Sequence, residues 1–249
     1  MSLYPSKLLR CGKVAIDKIG VLKGNRLHSY LKDFTYGMKF KNLNDDMKLY
    51  ITATEFLTGN LMIFSKEHTP NVYIADACRA SSGIQGAFVP FGIEGSDCKM
   101  FIGNSIKVPQ NDDIHPWCAT NILIHQYGIK KNTKLFFVDG GNLGNCRTDI
   151  ASNLQTEDDQ IIGVTFTFTG EDVTPVNSFV DILGQTISIM MKGAEKLANK
   201  YTKLRDPDII MLAPDKMGVG TIDFELEYSK KQVLLDSGKE SILPYLNKY

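Results

Sequence analysis

Apolar residues follow two rhythms along this chain. Leu27, Tyr30, Leu31 and Phe34 hold the i, i+3, i+4, i+7 spacing of one buried helical face, which predicts a short helix from Ile19 to Lys32, entered through a Gly-rich turn. Short runs of β-formers predict strands: Leu49 to Thr54, which a turn at Thr58-Gly59-Asn60 returns into Leu61 to Phe64; Leu135 to Val138, ending at Asp139; and Ile161 to Thr169. Asp208 to Leu212 predicts a late buried strand, closed by Pro214. Thr69 as cap with Pro70 at the first helical position predicts a helix to about Ala80. Ser178 with Asp181 forms a capping-box-like pair ahead of the longest stripe, which includes Phe179, Ile182, Leu183, Ile187 and Met190 and continues to about Leu204. Its mixed Met and aromatic character reads as core packing. Terminal helices are expected at Gln232 to Ser237 and Lys239 to Leu246, and a short one from His115 to Tyr127. Gly and Pro crowd Ser82 to Pro116, which reads as loop. Strands alternating with helices predict an α/β layered fold with a largely parallel sheet.

Composition narrows the class. A chain of 249 residues, 43% hydrophobic and 22% charged, fits a soluble globular protein that buries a sizeable core, with residues 1–249 as a single domain. No run reaches the ~18 apolar residues that span a bilayer, and Met1 to Lys13 has no apolar signal-peptide region. Twenty-eight Lys and Arg balance 28 Asp and Glu, which gives no argument for a nucleic-acid partner. The balance is uneven along the chain: Met1 to Lys48 holds ten Lys or Arg against four Asp. That basic end reads as a solvated face or as a contact for an anionic membrane surface. Five cysteines without a CxxC pair suggest neither a disulfide framework nor a zinc site; reduced thiols and a cytoplasmic location are the expectation.

Chemistry concentrates at Asp139-Gly140-Gly141. Asp-Gly after a strand is a common chain reversal, because glycine accepts positive φ. A carboxylate at the carboxyl end of an α/β strand also lies where such sheets place ligands, and two glycines let other backbone come close. The residues alone leave both readings open. Four histidines (His28, His68, His115 and His125) lack metal-ligand spacing, Asp112-Asp113 reads as a polar loop, and Gly218-Val219-Gly220 lacks the third glycine of a dinucleotide fingerprint. No metal or cofactor is expected.

Context bears on the choice. The segment from Arg79 through Ser81 and Ser82 to Pro90 resembles the patatin-like phospholipase stretch R-A-S-x-A-x-P-x-x-F-x-P, with Gly83 for Ala and Gln85 for Pro. Asp139 to Asn145 resembles that family's D-G-G-x-x-x-N, with Cys146 and Arg147 where Asn-Pro usually follows. Ile51 to Thr54 followed by Thr58-Gly59 resembles its ATD…TG strand and turn. Ile161 to Gly170 resembles the strand ending in Thr-Gly, and Pro214, Gly218, Gly220 and Asp223-Phe224 resemble the bacterial closing segment. Five pieces in the right order make the resemblance fairly specific.

The resemblance implies a three-layer α/β sandwich and a Ser-Asp dyad that hydrolyses phospholipid or other acyl-lipid esters. Asp139 would be the base, supported by Gly140, Gly141 and Asn145, while Arg79 and Ser81 belong to the structural segment. The family's nucleophile in G-x-S-x-G and its oxyanion loop have no counterpart here: Gly103-Asn104-Ser105 begins the pattern, but Lys107 ends it. Both map before Met1, so the sandwich is expected to lack its N-terminal strands, and a preceding segment or second chain would supply the serine. An exposed sheet edge would then favour oligomers or loose packing. Residues 92–134 exceed the family's length and read as an insertion or lid. The other expectation is a lipid-binding or interaction module of this fold without catalysis, which the substitutions at Gln85, Cys146 and Arg147 favour.

Overall fold

The structure, a computed structural model, describes residues 20–56, 59, 61–94, 134–143, 146–147, 150–151, 156, 161–166, 182, 186, 189, 193, 208–212 and 226–246. It divides into two compact units, residues 1–143 and 144–249.

In the first unit the described order is β1 (Gly20–Leu22), α1 (Asn25–Phe34), β2 (Ile51–Glu55), β3 (Leu61–Phe64), α2 (Ile74–Ser81), β4 (Gly86–Phe88), β5 (Phe91–Glu94) and β6 (Lys134–Val138). The central sheet runs β3-β2-β6-β5, and every neighbouring pair in it is antiparallel. The chain is thus α/β in content, but the expected largely parallel sheet is not the one that forms here. The reason begins at Gly59. It stands at φ 69° in the short connection between β2 and β3, and strands joined so closely pair antiparallel, whereas a parallel pair needs a long crossover. Among the described residues, parallel ladders are two-stranded, β1 with β4 and, in the second unit, β7 (Ile162–Phe166) with β8 (Asp208–Leu212).

The core of the first unit lies between this sheet and α2. Phe64 and Phe137 meet edge to face at 5.2 Å, with Ala53, Met62, Ala77 and Ala80 buried around them. All four residues of β3 are buried. A buried turn follows β3. Ser65 Oγ lies 2.6 Å from His68 Nδ1, and the Ser65 N–H donates to Thr69 Oγ1 at 3.2 Å. Burial holds the His68 imidazole down at about 4, so the ring is neutral over most of the pH range. Because Thr69 is engaged in this turn, it does not cap the helix. α2 starts instead at Ile74 behind Tyr73, four residues later than the Thr-Pro pair suggests.

Two other expectations shift. The first helix begins at Asn25, because Leu22 ends a strand and Gly24 turns the chain at φ 69°. None of its residues is fully buried. Leu27 and Leu31 are half covered, while Tyr30 and Phe34 stand in solvent. His28 Nε2 ties α1 to α2 through Asp76 Oδ1 at 2.7 Å, with its ring tilted on Phe91. The segment read as loop after Ser82 contains β4 and β5, whose glycines masked their strand character.

In the second unit, α3 (Tyr228–Leu246) is one helix where two were expected. Gly238 has open space where a side chain would stand and adds no positive φ, so the helix runs through it. α3 lies against β8. Ile182, Thr186, Ile189 and Gly193 are helical, as the long stripe predicts, but Ile182, assigned to its buried face, is 53% exposed. The helix expected from His115 to Tyr127 and the glycines at 218 and 220 lie outside the described residues.

Candidate active site

Asp139 follows the last residue of β6, a central strand, and leads into a 3₁₀ turn over Gly140–Leu143. Three separate segments fix its main chain. The Asp139 N–H donates to the Gly83 carbonyl at 3.0 Å, which joins it to the segment that begins at Arg79. Thr54 Oγ1, on β2, donates to the Asp139 carbonyl at 3.0 Å, and Asn142 Nδ2 donates to the same oxygen at 2.9 Å. Gly140 explains the glycine pair: a Cβ there would overlap the Thr52 carbonyl of β2. Gly83 is similarly confined, since a Cβ would lie 3.2 Å from the Ala80 carbonyl and 3.6 Å from Val138 Cα.

The carboxylate is half-buried, and its Oδ1 accepts the Gly141 N–H at 2.7 Å. Burial pushes the carboxyl above the usual carboxylate range, and the Gly141 N–H pulls it partly back. A carboxylate raised in this way is a stronger proton acceptor, which is the property a general base needs. Among the described residues, no serine hydroxyl donates to this carboxylate.

Arg79 is fully buried at the end of α2. Its Nη2 donates to the carbonyls of Lys23 and Val89, both at 3.2 Å, and its guanidinium carbon stands 4.8 Å from the Phe88 ring centroid and 5.5 Å from that of Phe91. Nε and Nη1 have no hydrogen-bond partner. Burial accordingly lowers the pKa of the group. Gly24 must be glycine here too, because a side chain would collide with the guanidinium. Arg79 therefore clamps the entry of α1 to the stretch that joins β4 and β5, a structural contact. Ser81 is half-buried in the last turn of α2, and Asn145 lies outside the described residues. Cys78 is a free thiol. Among the described residues no three His, Cys, Asp or Glu side chains gather in a metal-binding set, and none of the helices is long and apolar enough to cross a membrane.

The structure thus brings Asp139, Gly140 and Gly141 together with Thr52, Thr54 and Gly83. Sequence reading singled out the first three. The others serve through a carbonyl, a hydroxyl and a tight approach that exist only once β2 is in register with β6, Thr54 opposite Val138. Thr54 lay in the quoted ATD-like strand, so a partial signal was present. No protein-family model matches the chain.

Proposed function

We propose that this chain carries the aspartate half of a patatin-like acyl-lipid hydrolase, with Asp139 as the base and the serine supplied by a segment or chain outside this sequence. The observation that supports it is convergence. Two of the segments that resemble the family, far apart along the chain, hydrogen-bond to Asp139, which lies in a third. In the reaction, the serine hydroxyl attacks the ester carbonyl of a phospholipid while the Asp139 carboxylate takes its proton. The protonated carboxyl returns that proton to the departing alkoxide, and water attacks the acyl-serine by the same route. The patatin-like three-layer sandwich belongs to this proposal and rests on the site, because the sheet beneath Asp139 is antiparallel.

The test is fatty-acid release from phospholipid vesicles by the chain assembled with the polypeptide encoded directly upstream, where that carries G-x-S-x-G. Release is expected only from the assembly, and Asp139→Asn should lower it roughly a hundred-fold or more, the scale of a lost general base. Hydrolysis untouched by that substitution, or absent from every such assembly, would sink the reading. The second reading, a lipid-binding or interaction module without catalysis, is favoured by the carboxylate's Gly141 bond and by the absence of a described serine beside it. It predicts vesicle binding with no fatty-acid release from any assembly.

A further inference from the structure

The helical pattern of α1 marks a face for burial that the fold leaves open. Tyr30 and Phe34, one turn apart, stack with centroids 6.2 Å apart, yet they are 63% and 71% exposed. The chain then turns through Tyr36, which is 89% exposed and sits at φ 52°, the left-handed region that bulky side chains avoid. Met38 and Tyr73 extend the same surface: the Met38 carbonyl accepts from the residue after Tyr73, and Lys39 Nζ lies 4.6 Å over the Tyr73 ring. A strained backbone that holds an aromatic ring in water points to a use for that ring.

The surroundings identify the occupant. Arg26 and Lys32 are on α1 itself, Lys39 stands over the Tyr73 ring, and Asp33 is the one acid on α1. Arg26, Tyr30 and Phe34 follow at i, i+4, i+8, so cation and rings share one stripe. Of the four aromatic residues three are tyrosines, apolar in body and polar at the tip. That combination suits the headgroup level of a bilayer better than the dry centre of a protein interface.

We infer that the C-terminal end of α1 with the turn to Met38 is a docking surface for an anionic phospholipid bilayer. The rings of Tyr30, Phe34 and Tyr36 enter the headgroup boundary, and the lysines and arginine meet lipid phosphates and carboxylates. This surface stands on its own observations, apart from the hydrolase reading.

The experiment is co-sedimentation of the full 249-residue chain with phosphatidylcholine vesicles, with and without phosphatidylserine, while fatty-acid release is followed in the same tubes as a separate readout of hydrolysis. The chain should pellet with the phosphatidylserine vesicles, and added salt should release it. The triple variant Tyr30→Ser, Phe34→Ser, Tyr36→Ser should bind at least roughly ten-fold more weakly. Arg26→Ala alone should cost about five-fold, the scale of one cation at a charged membrane. A control variant with Val233→Ser and Leu235→Ser, which changes exposed apolar residues of α3, should bind like the parent. Circular-dichroism melts identify which variants remain folded. Failure of the parent chain to pellet with phosphatidylserine vesicles would overturn the proposal. So would equal losses in the triple and control variants. If the parent stays in the supernatant while the triple variant loses a co-purifying polypeptide, the surface belongs to a protein partner and the lipid assignment falls.

Discussion

The junction at Asp139 and the outer face of α1 belong to one unit and are built on opposite terms. Around Asp139 nearly every main-chain group is spoken for, and glycines stand where backbone touches backbone. On α1 the rings face water, and the turn after the helix holds Tyr36 in a conformation that glycine would take without strain. The first arrangement spends sequence freedom on fixing one carboxylate; the second forgoes stability to keep a surface available. Adding a side chain at a glycine of the first place and removing one at Tyr36 should therefore move stability in opposite directions.

The largest effect should come from Gly140→Ala. The added methyl overlaps the Thr52 carbonyl, and neither strand can yield without breaking the β2–β6 register. A loss of about 3 kcal/mol is expected, the upper end for overpacking, read from urea unfolding. An unchanged midpoint would show the junction to be loose and remove the contrast.

Acid should act next, through the buried turn behind β3. His68 is held at about 4 against an unfolded value near 6.5, so its lowered pKa leaves stability intact above pH 6.5 and erodes it as pH falls toward 4. The loss is at most on the order of 3 kcal/mol. His68→Gln should flatten the pH dependence of the melting temperature in that window. A slope that survives the substitution would assign acid sensitivity elsewhere.

At the open surface the sign reverses. Tyr36→Gly should stabilise the fold by about 0.5–1 kcal/mol, because the left-handed backbone no longer opposes a side chain. Thermal melts of the single variant decide this; destabilisation would mean that the ring makes contacts worth more than its strain.

The smallest effect sharpens the comparison inside the site itself. Burial raises the Asp139 pKa, so ionising it works against folding above the folded value. Asp139→Asn should raise the melting temperature slightly at neutral pH, and the gain should vanish once the pH falls below the ordinary carboxylate range, where the carboxyl is protonated in both states. A variant less stable at every pH would show that the Gly141 bond outweighs burial.

Much of this was legible from residue order. The strand at 51–55, its turn at Gly59 and the strand ending at Val138 announce themselves through β-branched and aromatic runs, and Asp139 stands out because a carboxylate and two glycines follow such a run. The sense of the sheet was not legible, since alternation of helices and strands says nothing about which strands become neighbours. The start of α2 was misplaced because a Thr-Pro pair looks the same whether its hydroxyl caps a helix or closes the turn to Ser65. Spacing gave α1 an apolar face, but spacing cannot say whether anything covers it. Thr52 and Gly83 escaped because their part in the site is a carbonyl position, which no side-chain pattern encodes.

The guanidinium beneath Gly24 has one more implication. Among the described residues it has no carboxylate opposite it, only carbonyls and ring faces, so dissolved ions have little to screen where the helix is anchored. In the proposed bilayer contact, the outer face of the same helix would be held by charges that ions do screen. Raising ionic strength should therefore lift α1 off a vesicle without loosening it from the protein, and detachment and unfolding would separate along a single salt titration.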